Sequence, residues 1–366
     1  MAIIVIGGIN QDIKAVPHAV LRPGTSNPGT VWMGPGGVGR NIAHTLAGCG
    51  IEVSLWSVIG DDSTGRELRE STRKAGINVD ELLTAAGSRT GSYTAIQDRE
   101  GELVAAVSDM QIMERISPDY LEERKETLGL ADCLIADTNL PAASLQLLAS
   151  LASDSGTPLL IEPVSTAKAA RLMDLPLKAD WITPNADELE VLCGVPAVEL
   201  AAAADTAAAE SAEGRPFSPV PIPVPTFTTQ PCCDNILVTL GGRGVLLLSR
   251  DPGCIQLTAR DYSAVKHPPG TRFLDRPAAF FPDQWKGWWF PPFPARIRDV
   301  NGAGDAFAAG FITALFHPAL LWNTELAVLF AQAAAVLTLE SDSSAPSGST
   351  MLRIMQRLKN LGILEV

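Results

Sequence analysis

A doubly wound α/β fold with a largely parallel sheet is predicted by three observations. Short continuous apolar runs recur along the chain, glycine-rich turns follow several of them, and from residue 133 onward strand and helix patterns alternate. Such runs suit strands buried on both faces of a parallel sheet, and the intervening helical segments supply the crossovers.

Ile3–Ile6 is the first run and ends in Gly7-Gly8. Residues 9–34 differ: they are rich in Pro, Gly and Asn, with Thr25-Ser-Asn-Pro-Gly29 in the middle and Val31-Trp-Met33 after it, and read as an exposed strand-and-turn excursion. Gly36-Gly37-Val38-Gly39-Arg40-Asn41 opens a helix through Leu46, followed by the strand Val53–Val58. A helix over 63–76 takes Ser63 as its cap and has Gly76 just past its end. Ser92–Gln97 and Leu103–Val107 alternate around Asp98-Arg-Glu-Gly101, a hairpin pattern. Strands follow at Cys133–Ala136, Leu159–Ile161, Trp181–Thr183, Ile236–Leu240 and Val245–Leu248, with helices over 141–153, 167–173 and 186–193 between them. The last third carries helices over about 304–316, 324–340 and 349–360. Two segments interrupt the alternation. Residues 200–235 begin as an Ala-rich helix and pass into Arg215-Pro-Phe-Ser-Pro-Val-Pro-Ile-Pro-Val-Pro225, read as a disordered or polyproline loop. Residues 258–295, dense in Pro, Trp and Phe, are too apolar for a plain linker, so packing on the domain is favoured over an interaction patch.

The 366 residues suit one large α/β domain or two small ones, and 46% hydrophobic with 19% charged content indicates a folded globular chain. A net charge of −13 argues against nucleic acid as a partner, while a small phosphorylated ligand held by backbone amides and a metal stays open. The six cysteines contain no C-x-x-C pair, which points to reduced thiols rather than zinc or a disulfide framework. No run approaches the length of a membrane span, and Ile3 enters a strand at once, so a cytoplasmic protein without a leader is expected. The four histidines have no metal-ligand spacing, and no G-x-x-x-x-G-K-[ST] is present, which disfavours a zinc hydrolase and a P-loop ATPase.

The chemistry gathers in turns. Asp299-Val-Asn-Gly-Ala-Gly-Asp305 runs straight into the apolar stretch from Ala306. Unpaired amides at a helix start, with Gly302, Ala303 and Gly304 keeping side chains away, suit an anion. A carboxylate at 305 beside that anion suits a general base; the structural alternative is an Asp cap after a glycine turn. Gly36–Asn41 offers either close backbone approach to a ligand, with Gly37 bare and Asn41 presenting an amide, or a tight turn. Asn10 and Asp12, directly after the first strand, either receive sugar hydroxyls or form an Asx pair. Asn185 and Glu188 share a helix face and suit either a water-clad Mg²⁺ or a helix cap. Thr239-Leu-Gly241-Gly-Arg-Gly244 is either a hairpin turn or a bare backbone against a nucleotide with Thr239 adding a hydroxyl.

In their order along the chain, these motifs resemble the ribokinase-like (PfkB) family of sugar and nucleoside kinases, over essentially the whole chain apart from the two insertions. Within the family, the N-terminal quarter is most similar to the pseudouridine-kinase branch. The residues that carry this are Gly7-Gly-Ile-Asn10-Gln-Asp12-Ile13, Pro23-Gly-Thr25-Ser26-Asn27-Pro-Gly29 and Pro35–Asn41, with Glu162-Pro-Val-Ser165 and Lys168 further on. An Asp usually stands where Glu162 does, which puts the phosphate-side geometry in question. The resemblance implies a three-layer αβα sandwich as one domain over 1–366, with a small β-lid from about 9–34 and 90–110. It implies transfer of the ATP γ-phosphoryl group to a nucleoside hydroxyl, with Mg²⁺ and in many members K⁺. By the same resemblance Asp305 is the base and Gly302, Ala303 and Gly304 are the anion hole. Asn10, Asp12, Thr25, Ser26, Asn27, Gly37, Asn41 and Asn139 fall on the substrate side. Lys168, Asn185, Thr239, Gly241, Gly244 and Gln332 fall on the ATP side, Asn185 and Glu188 near Mg²⁺, and Asp299 and Asn301 at the K⁺ position. A homodimer is compatible with the family. The alternatives are a kinase for ribose, a ketohexose, uridine or adenosine, or a binding regulator without turnover; that regulator would have lost the carboxylate at 305 or its glycines, and neither is lost.

Overall fold

The computed structural model describes residues 2–99, 101–173, 175, 178–211, 217–250, 285–320, 323–341 and 350–364. The chain starts with β1 (Ala2–Ile6), leaves for β2 (Asn10–Pro17) and β3 (Gly29–Gly36), and returns through α1 (Val38–Gly48) and β4 (Glu52–Gly60). Then come α2 (Ser63–Lys74), β5 (Leu82–Ala85), β6 (Ser92–Gln97), β7 (Leu103–Asp109) and the short helices α3 (Pro118–Glu122) and α4 (Lys125–Gly129). The alternating region is β8 (Cys133–Asp137), α5 (Ala142–Ser155), β9 (Leu159–Glu162), α6 (Thr166–Ala169), β10 (Ala179–Ile182), α7 (Ala186–Cys193) and α8 (Ala197–Glu210). The chain finishes with β11 (Val220–Ile222), β12 (Cys233–Thr239), β13 (Val245–Ser249), β14 (Lys286–Phe290), α9 (Ala303–Phe316), α10 (Thr324–Leu339) and α11 (Thr350–Asn360).

The main sheet has ten strands in the order β11-β14-β13-β12-β10-β9-β8-β1-β4-β5. From β12 to β5 the neighbours run parallel, and β11, β14 and β13 add an antiparallel edge. Alternate β1 side chains enter opposite cores: Ile3 and Val5 meet the layer containing α1, α9 and α10, while Ile4 and Ile6 meet that of α5, α7 and α8. Strand period and buried helices on both faces account for this division. A separate four-stranded sheet, β3-β2-β6-β7, is the excursion predicted for 9–34 joined to the predicted hairpin.

Three local expectations are corrected. Asp62, not Ser63, caps α2, because its carboxylate accepts from Gly65 N at 2.8 Å. The segment over 167–173 divides into α6 and a 3-10 turn. The Pro-rich stretch is not a loop throughout: β11 pairs antiparallel with β14, with Pro221 opposite Trp288. Proline at every second position suits an outermost strand, where one edge needs no N–H donors. Trp285–Phe290 packs as favoured, with Trp288, Trp289 and Phe290 buried in β14. The remainder of the predicted insertion, 258–284, lies outside the described residues. Five cysteines are unpaired among the described residues, and no described helix is long and apolar enough to cross a membrane.

Candidate active site

Asn10, Asn139, Asn185 and Thr239 follow or close β1, β8, β10 and β12, which run parallel to one another, so the fold gathers them where those strands end. Asp137 closes β8 and organises the crossing of two glycine turns. Its Oδ2 accepts from Gly8 N at 2.7 Å and Gly39 N at 2.9 Å, and its Oδ1 accepts from Asn139 N at 2.9 Å. A Cβ on Gly7 would lie 2.4 Å from Asp137 Oδ2, and one on Gly37, whose φ is +101°, would lie 2.4 Å from the Gly8 carbonyl oxygen. The turn at 36–39 is therefore a close backbone crossing, and it delivers Asn41 to the site.

Asn41 Nδ2 donates to Asp305 Oδ2 at 2.8 Å. Helix α9 starts from Gly302 in the left-handed conformation, φ 76°, and Asp305 is its third residue with no part in capping. The cap alternative for Asp305 is thus not what the chain does. A Cβ at Gly304 would meet nothing within 4 Å, so no neighbour crowds the first turn on that side. Asp305 is buried, and burial raises its carboxyl to about 7; Asp137, Asp12 and Glu188 push the same way, while the Asn41 bond opposes. Asn41 Oδ1, on the amide that holds Asp305, lacks a partner, and so does Arg40 Nε one residue earlier, whose guanidinium acts on Asp12. Orphaned buried groups of this kind are what a ligand hydroxyl or carbonyl satisfies.

The small sheet brings its own charges to this point. Asn10 Nδ2 donates to Asp12 Oδ1 at 2.7 Å, and a Cβ on Gly36 would lie 2.2 Å from the Asp12 carboxyl. Asn10, Asp12 and Lys14 share one face of β2 by strand alternation. Burial raises the Asp12 carboxyl, against the lowering influence of Asn10, Lys14 and Arg40. Burial also lowers the Arg40 guanidinium to about 10, partly offset by Asp12. Lys14 Nζ donates to Asp299 Oδ2, and Asp299 Oδ1 accepts from Asn301 N at 2.9 Å and Asn301 Nδ2 at 2.6 Å.

Further along the edge, Asn185 and Glu188 form a capping box: Glu188 N donates to Asn185 Oδ1 and Asn185 N to Glu188 Oε2, each at 2.9 Å. The cap alternative is realised, and it leaves Glu188 Oε1 outside the box. Asn185 lies beside Thr239 in an isolated parallel bridge, and Thr239 N donates to Pro184 O at 3.0 Å. Gly241 and Gly244 bound the β12–β13 hairpin turn, the structural alternative. Gly244 has φ +90°, and a Cβ there would lie 2.1 Å from the Phe290 carbonyl oxygen. Glu162 accepts from Thr183 Oγ1 and is buried at the end of β9. Burial drives its carboxyl well above the ordinary range, with Glu188 and Asp305 adding to the effect. Lys168 Nζ donates to Asn139 Oδ1, joining a residue expected on the ATP side to one expected on the substrate side. Gln332 is buried on α10 with its Nε2 unpartnered.

Among the described residues no three His, Cys, Asp or Glu side chains converge to cage a metal. The donor set instead suits a hard cation kept in its water shell: Glu188 has an oxygen outside the capping box, and its charge raises both the Glu162 and Asp305 carboxyls.

Thr25, Ser26 and Asn27 are not brought to Asp305. They lie in the exposed connection beyond the Pro17–Gly29 pair. Five residue steps of about 3.3 Å each along β2 separate that pair from Asp12. The Asn27 amide is used within this connection, accepting from Arg22 N at 2.8 Å and donating to Arg22 O at 2.9 Å. Lys14, Arg40 and Asp137 were not singled out from sequence as site residues. A carboxylate ending a wholly apolar strand was the available signal for Asp137; Lys14 and Arg40 carried none beyond their nearness to Asp12 and Asn41.

The profile of the pfkB family carbohydrate kinases matches residues 2–216 and 277–351. The chain belongs to this family. Its similarity to the pseudouridine kinase of Escherichia coli (strain K12) is 29% identity, covering 84% of this chain and 82% of that protein. An uncharacterised sugar kinase of the same bacterium is 38% identical, but this chain spans only 52% of its length and 52% of its own. The Arabidopsis thaliana ribokinase solved with ribose and ATP has the same pfkB-family fold, with a TM-score of 0.66 at 18% identity, covering 97% of this chain and 98% of that one. The ten-stranded αβα sandwich with its small antiparallel-edged sheet is therefore ribokinase-like, as expected from the motifs.

Proposed function

We propose that this protein is a pseudouridine kinase, transferring the γ-phosphoryl group of ATP to the 5′-hydroxyl of pseudouridine. One observation carries the chemistry: a buried carboxylate, Asp305, free of capping duty, held by Asn41 and seated over the open first turn of α9. In the proposed reaction the 5′-oxygen attacks the γ-phosphorus, the bond to the β–γ bridging oxygen breaks, and Asp305 takes the hydroxyl proton as ADP leaves. The amides of Gly302, Ala303 and Gly304 stabilise the transferring group, as the donors of an anion hole do. Mg²⁺, when bound, neutralises phosphate charge, and Glu188 with Asn185 would hold it through water. Asp12 and Asn10 grip the ribose hydroxyls, and Thr239, Gly241, Gly244, Lys168 and Gln332 serve ATP.

The choice of pseudouridine rests on the near full-length similarity to the E. coli enzyme and on the Gly7–Asn41 sequence, which resembles that branch. The ribose and ATP of the Arabidopsis relative support the acceptor and donor classes. Pseudouridine exposes an N–H where uridine has a carbon-bound hydrogen, so a site with an acceptor on that edge rejects uridine by leaving a buried group unpaired. The test is ADP release with pseudouridine, uridine, adenosine, ribose and fructose. Pseudouridine should give the highest kcat/KM, and equal values for pseudouridine and uridine would sink the substrate assignment while sparing Asp305.

A further inference from the structure

Asp299 opens the turn that carries Asn301 and the anion-hole residues, and the family resemblance places a potassium ion against it. The side-chain contacts of this chain do not suit that ion. Asp299 Oδ2 accepts from Lys14 Nζ, and Oδ1 accepts both the backbone and the side-chain N–H of Asn301. Both oxygens are therefore occupied by donors, and a further cation would sit next to an ammonium group that repels it. Asn301 turns its backbone and side-chain N–H groups to the carboxylate, so the face it presents to Asp299 offers a cation no ligand. Burial alone would raise the Asp299 carboxyl, but the Lys14 bond and Asn301 outweigh it and hold the group below the ordinary carboxylate range.

Lys14 comes from β2, on the face that carries Asn10 and Asp12, whereas Asp299 lies immediately before α9. Side-chain exposures of 25% and 16% put the pair largely out of water, where its charge is weakly screened. The contact thus spans from the sheet holding Asp12 to the turn holding the first amides of α9 and Asp305.

We propose that Lys14 is a positioning residue whose ammonium group supplies, from within the chain, the positive charge that Asp299 needs, so that phosphoryl transfer requires no potassium at this turn. The same contact fixes the distance between the acceptor-binding face of β2 and the anion hole. This holds for whichever acceptor the enzyme uses, and one arm of its test uses no substrate.

The experiment compares wild type, Lys14→Met and Lys14→Arg in KCl and in tetramethylammonium chloride, whose cation is too bulky for the turn, at about 100 mM each. The first readout is Tm of the unliganded protein, and the second is kcat/KM for ADP release. Wild type and Lys14→Arg should respond to potassium by less than about twofold in rate and show no Tm change. Lys14→Met should have a lower Tm and lose about tenfold or more in rate without potassium, with KCl recovering a substantial part of both. Potassium activation of wild type beyond about twofold overturns the proposal. So does a folded Lys14→Met that is as indifferent to potassium as wild type. If Lys14→Met does not fold, the wild-type and Lys14→Arg responses decide alone: indifference supports the proposal and activation overturns it. If no acceptor in the panel turns over, the Tm arm still decides, which separates this proposal from the choice of pseudouridine.

Discussion

Asp305→Asn should move activity and stability in opposite directions, which makes it the sharpest single test of the site. The side chain is 8% exposed, and burial first, then Asp137, Asp12 and Glu188, hold its carboxyl at about 7 instead of 3.8. For catalysis, the amide cannot accept the proton, and general-base loss costs about 10²–10⁴-fold, with the lost charge adding to it. For folding, the native carboxyl binds a proton more tightly than the unfolded one. Its stabilising effect is thus full below the unfolded value and is lost as pH rises through the folded value. The interval from 3.8 to about 7 corresponds to at most about 4 kcal/mol at about 1.36 kcal/mol per pH unit. The neutral amide escapes this loss and keeps an oxygen to accept from Asn41. The variant should therefore be more stable than wild type at about pH 8.5, and the difference should shrink toward zero at about pH 4. Urea unfolding and ADP release on the same preparations measure both effects, and wild-type kcat/KM should rise with pH to a plateau above about 7. More than about a tenth of wild-type activity would refute the base assignment. No gain in stability at high pH would refute the view of Asp305 as a buried, destabilising charge.

Glu188→Gln should raise the Mg²⁺ concentration needed for half-maximal rate with less effect on nucleoside KM, since the capping oxygen survives in the amide; an unchanged Mg²⁺ titration would reduce this pair to its cap. Asp12→Ala should raise KM for pseudouridine and uridine alike, because both share the ribose hydroxyls, and a loss confined to one nucleoside would place Asp12 near the base instead. Removing 217–231 should lower Tm and solubility, since β11 pairs with β14 and the Phe227 and Trp285 rings lie 5.1 Å apart; wild-type Tm in the shortened chain would show that this edge contributes nothing. Gly310→Ala should cost about 1–3 kcal/mol by overpacking, because the new Cβ would lie 2.8 Å from that of Ala334 between α9 and α10; denaturant midpoints check it.

The alternation of apolar runs with helical periods was enough to place the central strands and their order of appearance, because both faces of a parallel sheet demand apolar side chains. It did not show β11 or β14. The first is disguised by prolines that only an edge strand tolerates, and the second by its place in a Pro-, Trp- and Phe-rich segment that shows no strand alternation. Motif residues within one turn, such as Gly302–Asp305, were legible because their spacing is local. The contacts that join the turns were not: Asn41 and Asp305 are 264 residues apart, and Lys14 and Asp299 are 285 apart. Sequence alone also left Asn185 and Glu188 as either cap or metal residues. The structure shows that the capping bonds use one Glu188 oxygen and leave the other outside the box.

The start of α9 joins sequence, local structure and chemistry most closely. A Ser, Thr or Asp at the N-cap would satisfy an orphan amide and stabilise the helix by about 0.5–2 kcal/mol. This chain forgoes that stabilisation, placing Gly302 at the cap with φ 76° and no side-chain bond. The space in front of Gly304 stays open, since a Cβ there would meet nothing within 4 Å. The acidic residue is displaced to the third helical position, where it receives Asn41 instead of its own backbone. A helix start optimised for stability would have satisfied its first amides with its own carboxylate. Leaving it open and keeping a buried acid beside it is a local cost that the all-round burial of α9 against α10 can absorb, and one that a purely structural turn would have no reason to bear.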